Sequence, residues 1–572
     1  MKHENSIDMT PYGESLLSSF VVHRLKSPKL IWINHDFFLR NGINTLDRDE
    51  YDVVSSWLLD EFCYSSTEPA VSGNGAEKIV FADRYGATKG TAVGGSGRCG
   101  VFGLYNAKGI GPTPLVGRNI DRAHSHGRLS LKEAVKEVIN SRLADEELPF
   151  GAVPVIAVIA TGETFDFGQG EEPCAIVVRK NFIRPAHFER SIYFGTSGFP
   201  GSDQYLDADR VRSLVRSDFL KDTAAIRDIF CRLGEQMGAA RAVRLWQGQF
   251  ITSNQSIDGA MVDFGAFRAV ANWRKAYGLP GQEFGSEENA AKAAIESIVF
   301  YYNKYSGNET VLSKDIYIIF IKAIQEGFSK RLSHDLQLLD DDNGIFVLNA
   351  LNQYYTVQQT HRVKVDNRGH QLFSWLHRPV SRLSNGMELE DPEGFDQQLA
   401  EEVHARMSHS QRLAFLRWSS TRPLMYFNVI NKLIDRHLAS YVFHENFQNI
   451  LDTFINKVLS KSRRSWKGSY FSDNCQIIGS TSSNAIEYLL CKRNSEKKYG
   501  LLTFYKIGNE AILNGHKVKF DVIAQNSHHF FGNVWRFEFD WEDAMMRGKC
   551  ITVCNKEIIL PKLDNLFSYV AE

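Results

Sequence analysis

The chain has 572 residues, carries 66 basic against 67 acidic side chains and so has a formal net charge of −1. That length exceeds one ordinary core and predicts two or three domains, while the cancelled charge argues against a nucleic-acid-binding surface that dominates the molecule. Hydrophobic content of 43% and aromatic content of 12% support well-formed globular cores.

In chain order, Met1-Lys2-His3-Glu4-Asn5 leads into polar sequence without the apolar core of a signal peptide. The most apolar run, Gly151 to Ala160, is about half of the ~20 residues a membrane helix needs and contains Pro154. Eight scattered cysteines form no CxxC pair, and Cys550 with Cys554 has no His or Cys cluster beside it, which argues against zinc. A cytoplasmic protein with reduced thiols and no membrane span is the expectation.

Residues 80 to 108 carry Gly90, Gly94, Gly95, Gly97, Gly100 and Gly103, followed by Lys108 in Ala107-Lys108-Gly109-Ile110-Gly111-Pro112. So much glycine would destabilise a helix by up to ~1 kcal/mol per residue, so the stretch reads as strand, glycine turn, strand. A backbone free of side chains can approach phosphates closely; alone, the stretch is equally a surface turn. Leu131, Val135, Val138, Ile139 and Leu143 then recur at helical spacing, with Ser130 placed to cap the start. Glu133 on that helix lies 25 residues after Lys108 and suits an ion pair with it, although each residue alone reads as a surface charge. His124 and His126 fall in a polar, solvated loop. Val153 to Ile159 and Ala175 to Val178 are β-branched runs expected to be buried strands of one sheet, completing a small, mainly β lobe with one helix.

From residue 205 the pattern becomes helical, over Asp207 to Arg216, Thr223 to Met237 and Ser286 to Tyr302. Between the last two lies Gln247-Gly248-Gln249-Phe250-Ile251-Thr252-Ser253-Asn254, then Met261-Val262-Asp263-Phe264-Gly265. Asn254 and Asp263 stand nine positions apart across a short expected hairpin. An amide from a catalytic loop and a carboxylate from an Asp-Phe-Gly turn are how protein-kinase-like enzymes hold Mg²⁺ and ATP. Alone, Asp-Phe-Gly is an ordinary strand-end turn in which Gly265 supplies permissive backbone.

Pro379, Gly386, Pro392 and Gly394 mark a linker, helices are expected from Phe415 to Leu459, and the character changes again after residue 465. Asn514-Gly515 is a hairpin signal, and Val534 to Trp541 alternates Arg536, Glu538 and Asp540 with aromatics. His528-His529 reads as a hairpin loop. The expected domains are an N-lobe at 1–200, a helical C-lobe at 201–400, a helical extension at 401–464 and a β-rich module at 465–572. The fold class is α+β, a protein-kinase-like bilobal fold with a C-terminal β-rich module.

The order of Leu25 to Trp32, Gly94-Gly95-Ser96-Gly97-Arg98, Lys108-Gly109-Ile110-Gly111, Lys132-Glu133, Arg179, Arg184, His187-Phe188-Glu189 and Gln247 to Gly265 resembles the SelO (selenoprotein O) family of kinase-fold AMP transferases. The resemblance is collinear between residues 25 and 305. It implies that Lys108 contacts ATP phosphates, that Glu133 pairs with Lys108, and that Asn254 and Asp263 hold Mg²⁺. Gly95, Gly97 and Arg98 match the family's glycine-rich loop. Arg179 and Arg184 match arginines that hold an ATP bound in reverse, so that AMP is transferred; the spacing between them is two residues shorter here.

Where the family has an aspartate that accepts the proton of an attacking hydroxyl, this chain has Ser253. General-base assistance is worth about 10²–10⁴-fold. Either the chain is a nucleotide-binding pseudokinase serving as a partner scaffold, or its nucleophile arrives ionised; a peptide α-carboxylate, with pKa about 3.5, needs no base. The layout also resembles the MchC/MceJ type of microcin-modification protein, which implies activation of a peptide C-terminal carboxylate during siderophore-microcin maturation and an acyltransferase-like partner. AMP transfer to a Ser, Thr or Tyr hydroxyl of a protein substrate is the enzyme alternative, with Asp258 the nearest replacement base.

Overall fold

The computed structural model describes most of residues 7–360, apart from 68–76, 88–93, 195–199, 270–284 and a few gaps of one or two residues, then short pieces between 402 and 456 and strands between 476 and 559. The chain is mixed α+β, and its first 180 residues build an antiparallel sheet with helices packed on it.

After one helical turn, Gly13–Leu16 (α1), come Leu17–Arg24 (β1), Lys29–Ile33 (β2), His35–Arg40 (α2), Arg48–Phe62 (α3), Tyr64–Ser65 (β3), Glu77–Asp83 (β4), Cys99–Phe102 (β5) and Tyr105–Lys108 (β6). Arg122–Ser125 (α4), Leu131–Glu147 (α5), Val155–Asp166 (β7) and Glu171–Lys180 (β8) follow. The strands form one eight-stranded sheet in the order β2-β7-β8-β6-β5-β4-β1-β3. The β-branched runs expected to share a sheet pair directly, Val158 opposite Val177 and Ile159 opposite Ile176.

Ser130 caps α5, its side chain accepting from the Glu133 amide. That helix has company: α3, not foreseen, is capped by Asp47 and buries Val54, Leu58 and Phe62 at four-residue spacing. These three join Val22, Ile156, Ile159, Ile176 and Val178 in one core. A mainly β unit with a single helix is therefore corrected to a sheet served by both α3 and α5.

The helices Pro200–Val215 (α6) and Thr223–Ala242 (α7) lead to the two-residue strands Leu245–Trp246 (β9) and Arg268–Ala269 (β10), which pair antiparallel. Glu288–Tyr305 (α8), Ser313–Leu336 (α9) and Asp342–Thr360 (α10) complete this part. Leu233, Phe230, Ile295, Ile298, Tyr302 and Phe320 belong to a second core.

Further on, Gln476–Ser483 (β11), Ile486–Arg493 (β12), Lys498–Tyr505 (β13), Glu510–Leu513 (β14) and His516–Lys519 (β15) form an antiparallel meander in chain order. Leu513 lies opposite His516 across β14 and β15; Asn514-Gly515, read from the sequence as a hairpin signal, lies outside the described residues. Cys550–Val553 (β16) pairs with Lys556–Ile559 (β17). The linker at 379–394, helices between 415 and 446, His528-His529 and the alternation from Val534 to Trp541 lie outside the described residues.

Candidate active site

Lys108 ends β6 with 2% of its side chain exposed. An ammonium so deeply buried requires acids around it, and three surround it. Its Nζ lies 2.6 Å from Glu137 Oε2, 3.3 Å from Asp263 Oδ1 and 3.9 Å from Glu133 Oε1. The close partner is thus Glu137, one turn beyond the expected Glu133. Both acids project from α5, where i and i+4 share a face.

Glu133 instead lies 3.1 Å from Arg98 Nη2, which also approaches Asp263 Oδ2 at 3.8 Å. Glu137 holds a second cation, Arg179 Nη1, at 2.9 Å. Arg179 reaches it because Asn106 and Arg179 face each other across β6 and β8, and Arg179 Nη2 donates to Asn106 Oδ1 at 3.2 Å. Three cations and three carboxylates interlock. With 3% of its side chain exposed, Arg179 is committed within the protein, whereas Arg98 and Glu133 are about one-third open, at 30% and 31%.

Desolvation opposes the charge on Asp263, but Lys108, Arg98 and Arg179 override it and hold the carboxyl well below its usual range. Desolvation likewise disfavours charged Lys108 and Arg98; for Lys108 the Asp263 and Glu137 carboxylates, and for Arg98 those of Glu133 and Asp263, raise the affinity for the proton. Asp263, Lys108 and Arg98 are thereby held in their charged forms at neutral pH.

The Asn254 segment forms the expected hairpin. The Val262 amide donates to Asn254 O at 2.9 Å, and the Gln247 side chain donates to Asn254 O and Val262 O at 2.9 and 2.7 Å. This ladder sets Asn254 beside Val262, next to Asp263. At the turn, Asp263 takes the left-handed conformation, φ 61°, and Gly265 does not. The strained backbone is therefore the carboxylate's own, and a Cβ added at Gly265 would meet Asp263 and Glu133 oxygens only at ordinary contact distances of 3.6 and 3.8 Å. Phe264 is buried against Phe267. Ser253 Oγ donates to Asn254 Oδ1 at 3.4 Å. Asp258, the alternative base, is half-exposed and faces Arg232 at 3.8 Å.

The glycine-rich segment lies along the exit of β4. Gly95 bridges Arg84 with φ 153°, and a Cβ there would meet Asp83 O at 2.2 Å. The Gly94 and Ser96 amides donate to Leu115 O and Asp83 O, and Gly97 O accepts from the Thr113 amide. Arg184 is almost wholly buried. It pairs with Asp83, donates from Nε to Ser253 O at 2.9 Å, and stacks 4.3 Å from Phe182 and 4.7 Å from Tyr85. His126 packs on Phe165 and Phe167, and burial together with the Arg98 charge lowers its proton affinity.

Asn254 and Asp263 offer oxygen donors of the hard kind that Mg²⁺ takes. Among the described residues no three His, Cys, Asp or Glu side chains form a metal-holding group. An Asn–Asp pair thus suits a cation that fills its shell with phosphate oxygens and water, as Mg²⁺ does at nucleotide sites.

Glu137, Asp83 and His187 were not singled out from the sequence as site residues. Glu137 had a usable signal, the i+4 spacing from Glu133; Asp83 had none, because its partners are 101 and 104 residues away. No protein-family model matches the chain, and no curated protein matches it.

Proposed function

We propose that this chain is an ATP- and Mg²⁺-dependent nucleotidyltransferase with a SelO-like, protein-kinase-like bilobal fold that activates a peptide C-terminal carboxylate as an acyl adenylate. The observation that carries this reading is the convergence of Lys108, Glu137 and Asp263. A buried lysine on the sheet, its glutamate on α5 and a carboxylate 155 residues along the chain meet within 3.3 Å of the ammonium. Lys108 and Arg98 supply positive charge for phosphate oxygens, and Arg98 does so from the open side. Mg²⁺, held by Asn254 and Asp263, would neutralise charge building on the leaving phosphates.

In the reaction a carboxylate oxygen attacks the α-phosphorus of ATP. A new P–O bond forms, the bond to the β-phosphate oxygen breaks, and pyrophosphate leaves with the electron pair. No proton leaves the nucleophile, so Ser253 suffices where a hydroxyl acceptor would need a base. The half-exposed Asp258, turned to Arg232, supports the carboxylate over a hydroxyl.

The test is label transfer from α- and γ-labelled ATP with Mg²⁺ to peptides with free or amidated C-termini, with a hydroxylamine trap and the D263N variant as control. Label from the α position that depends on a free C-terminus and yields a hydroxamate establishes the reaction. Transfer from the γ position would replace it with phosphoryl transfer. ATP binding without transfer would leave a pseudokinase or point to a required acyltransferase-like partner.

A further inference from the structure

Behind the site lies a buried network that the reaction above does not use. Asp83, at the end of β4, Arg184 and His187 are all at most 4% exposed. The Arg184 amide donates to His187 Nδ1 at 2.8 Å, which assigns the ring proton to Nε2, and Nε2 donates to Asp83 Oδ2 at 3.2 Å. The same Asp83 oxygen accepts from Arg184 Nη1. The guanidinium plane, fixed by the carboxylate on one edge and by Phe182 and Tyr85, aims Nε at Ser253 O, 2.9 Å away. A second bond runs beside it, from the Ile257 amide to Ile183 O at 2.9 Å. The 183–187 segment therefore holds the 253–257 turn at both ends, at Ser253 and at Ile257, with Asn254 between them.

We infer that Asp83, His187 and Arg184 are positioning residues that hold the Ser253–Asn254 turn in register for the metal, and that Arg184 acts here through the Ser253 carbonyl instead of as a phosphate ligand. A carbonyl held by a charged, doubly anchored donor fixes the backbone of the next residue, and Asn254 is that residue. Lysine at position 184 keeps the charge but lacks the fork needed to bind Asp83 and Ser253 O together. The inference rests on the nucleotide reading, since it assigns Asn254 to Mg²⁺.

The experiment measures ATP binding by calorimetry in Mg²⁺ and in EDTA, with amide exchange on the same proteins without ligand. R184K is expected to raise the Mg²⁺ concentration for half-maximal binding about tenfold while changing affinity in EDTA by less than about twofold. D83N should reproduce that split. Amides of Asn254 and Val262, which donate to Ile251 O and Asn254 O, should exchange faster in both variants. Equal losses with and without Mg²⁺ in R184K, or a D83N protein that binds Mg²⁺ and ATP as well as wild type, would overturn the inference. Should either variant fail to fold, H187Q, which alters only the imidazole in the network, reads the same split at smaller amplitude. If wild type binds no ATP in either condition, the nucleotide reading falls. Amide exchange then decides the positioning role alone, and unchanged rates at Asn254 and Val262 would end it.

Discussion

Glu133 and Glu137 differ by one helical turn, and the difference in burial separates their roles. Glu137 holds two buried cations with 2% of its side chain exposed, whereas Glu133 holds Arg98 at the open mouth. Removing one partner of a buried ion pair costs about 3–5 kcal/mol, and an exposed pair contributes about 0–1 kcal/mol. Urea unfolding of Glu137→Ala should therefore show a loss of the first size and Glu133→Ala one of the second; comparable losses would refute the assignment of Glu137 as the Lys108 anchor. Asp263→Asn is expected to abolish metal-dependent turnover and leave the far-ultraviolet dichroism unchanged. His187 adds a pH dependence. Burial lowers its proton affinity below the ordinary value of 6.5 despite the neighbouring Asp83. Below that pH the unfolded chain binds more protons than the folded one, so His187 contributes stability that is complete above 6.5 and is lost as pH falls toward the folded value. The thermal midpoint should drop as pH falls below about 6.5, and H187Q should flatten that drop.

At the scale of elements, α5 is the member whose place decides the site, and its far end is fastened to the helices. The Gln236 side chain, on α7 and 1% exposed, accepts from the Phe150 amide at 2.9 Å and donates to Gly151 O at 2.7 Å. Arg331, on α9, reaches the Glu147 carbonyl and lies 3.2 Å from the Glu147 carboxylate. Gln236→Ala leaves one donor and one acceptor unpaired in a buried place, at about 1–3 kcal/mol for each group. A loss of about 2–6 kcal/mol in urea is expected, with faster amide exchange at the C-terminal end of α5; a loss under about 0.5 kcal/mol would show that α5 is not tied there. The helix itself was legible in sequence, since Ser130 and the apolar spacing carry its whole signal locally. The α3 signal is equally local, Asp47 followed by Val54, Leu58 and Phe62, but it is weaker than the glycine and lysine features that follow it. What no local pattern conveys is register across the sheet. Asn106 faces Arg179 because β6, paired on one side with its sequence neighbour β5, pairs on the other with β8 and not with β7.

Across the whole molecule, the longest described tie joins the edge of the sheet to a segment more than 400 residues away. Ile33 on β2 gives its amide to Gln448 Oε1 at 2.7 Å and takes Gln448 Nε2 on its carbonyl at 3.0 Å, so one side-chain amide occupies the place of a neighbouring strand. Trp32 Nε1 donates to Asp452 Oδ1 at 2.7 Å, and Gln448 Nε2 also reaches Asp452 Oδ2 at 2.6 Å. An unpaired sheet edge invites pairing with other chains, and here the chain closes its own. Trp32 closes the Leu25 to Trp32 block of the resemblance read from the sequence, and in the fold its indole nitrogen serves this clasp. Gln448→Ala strips the partners from both the N–H and the C=O of Ile33, and about 1–3 kcal/mol should be lost, with accelerated exchange at the Ile33 amide. Trp32→Phe removes a single bond and should cost about 1 kcal/mol. Because the clasp lies apart from Lys108 and Asp263, both variants should bind ATP as wild type does below their melting range. A Gln448→Ala protein of wild-type stability would mean that the segment contributes nothing to holding β2. Lost ATP affinity at full stability would instead tie the sheet edge to the site.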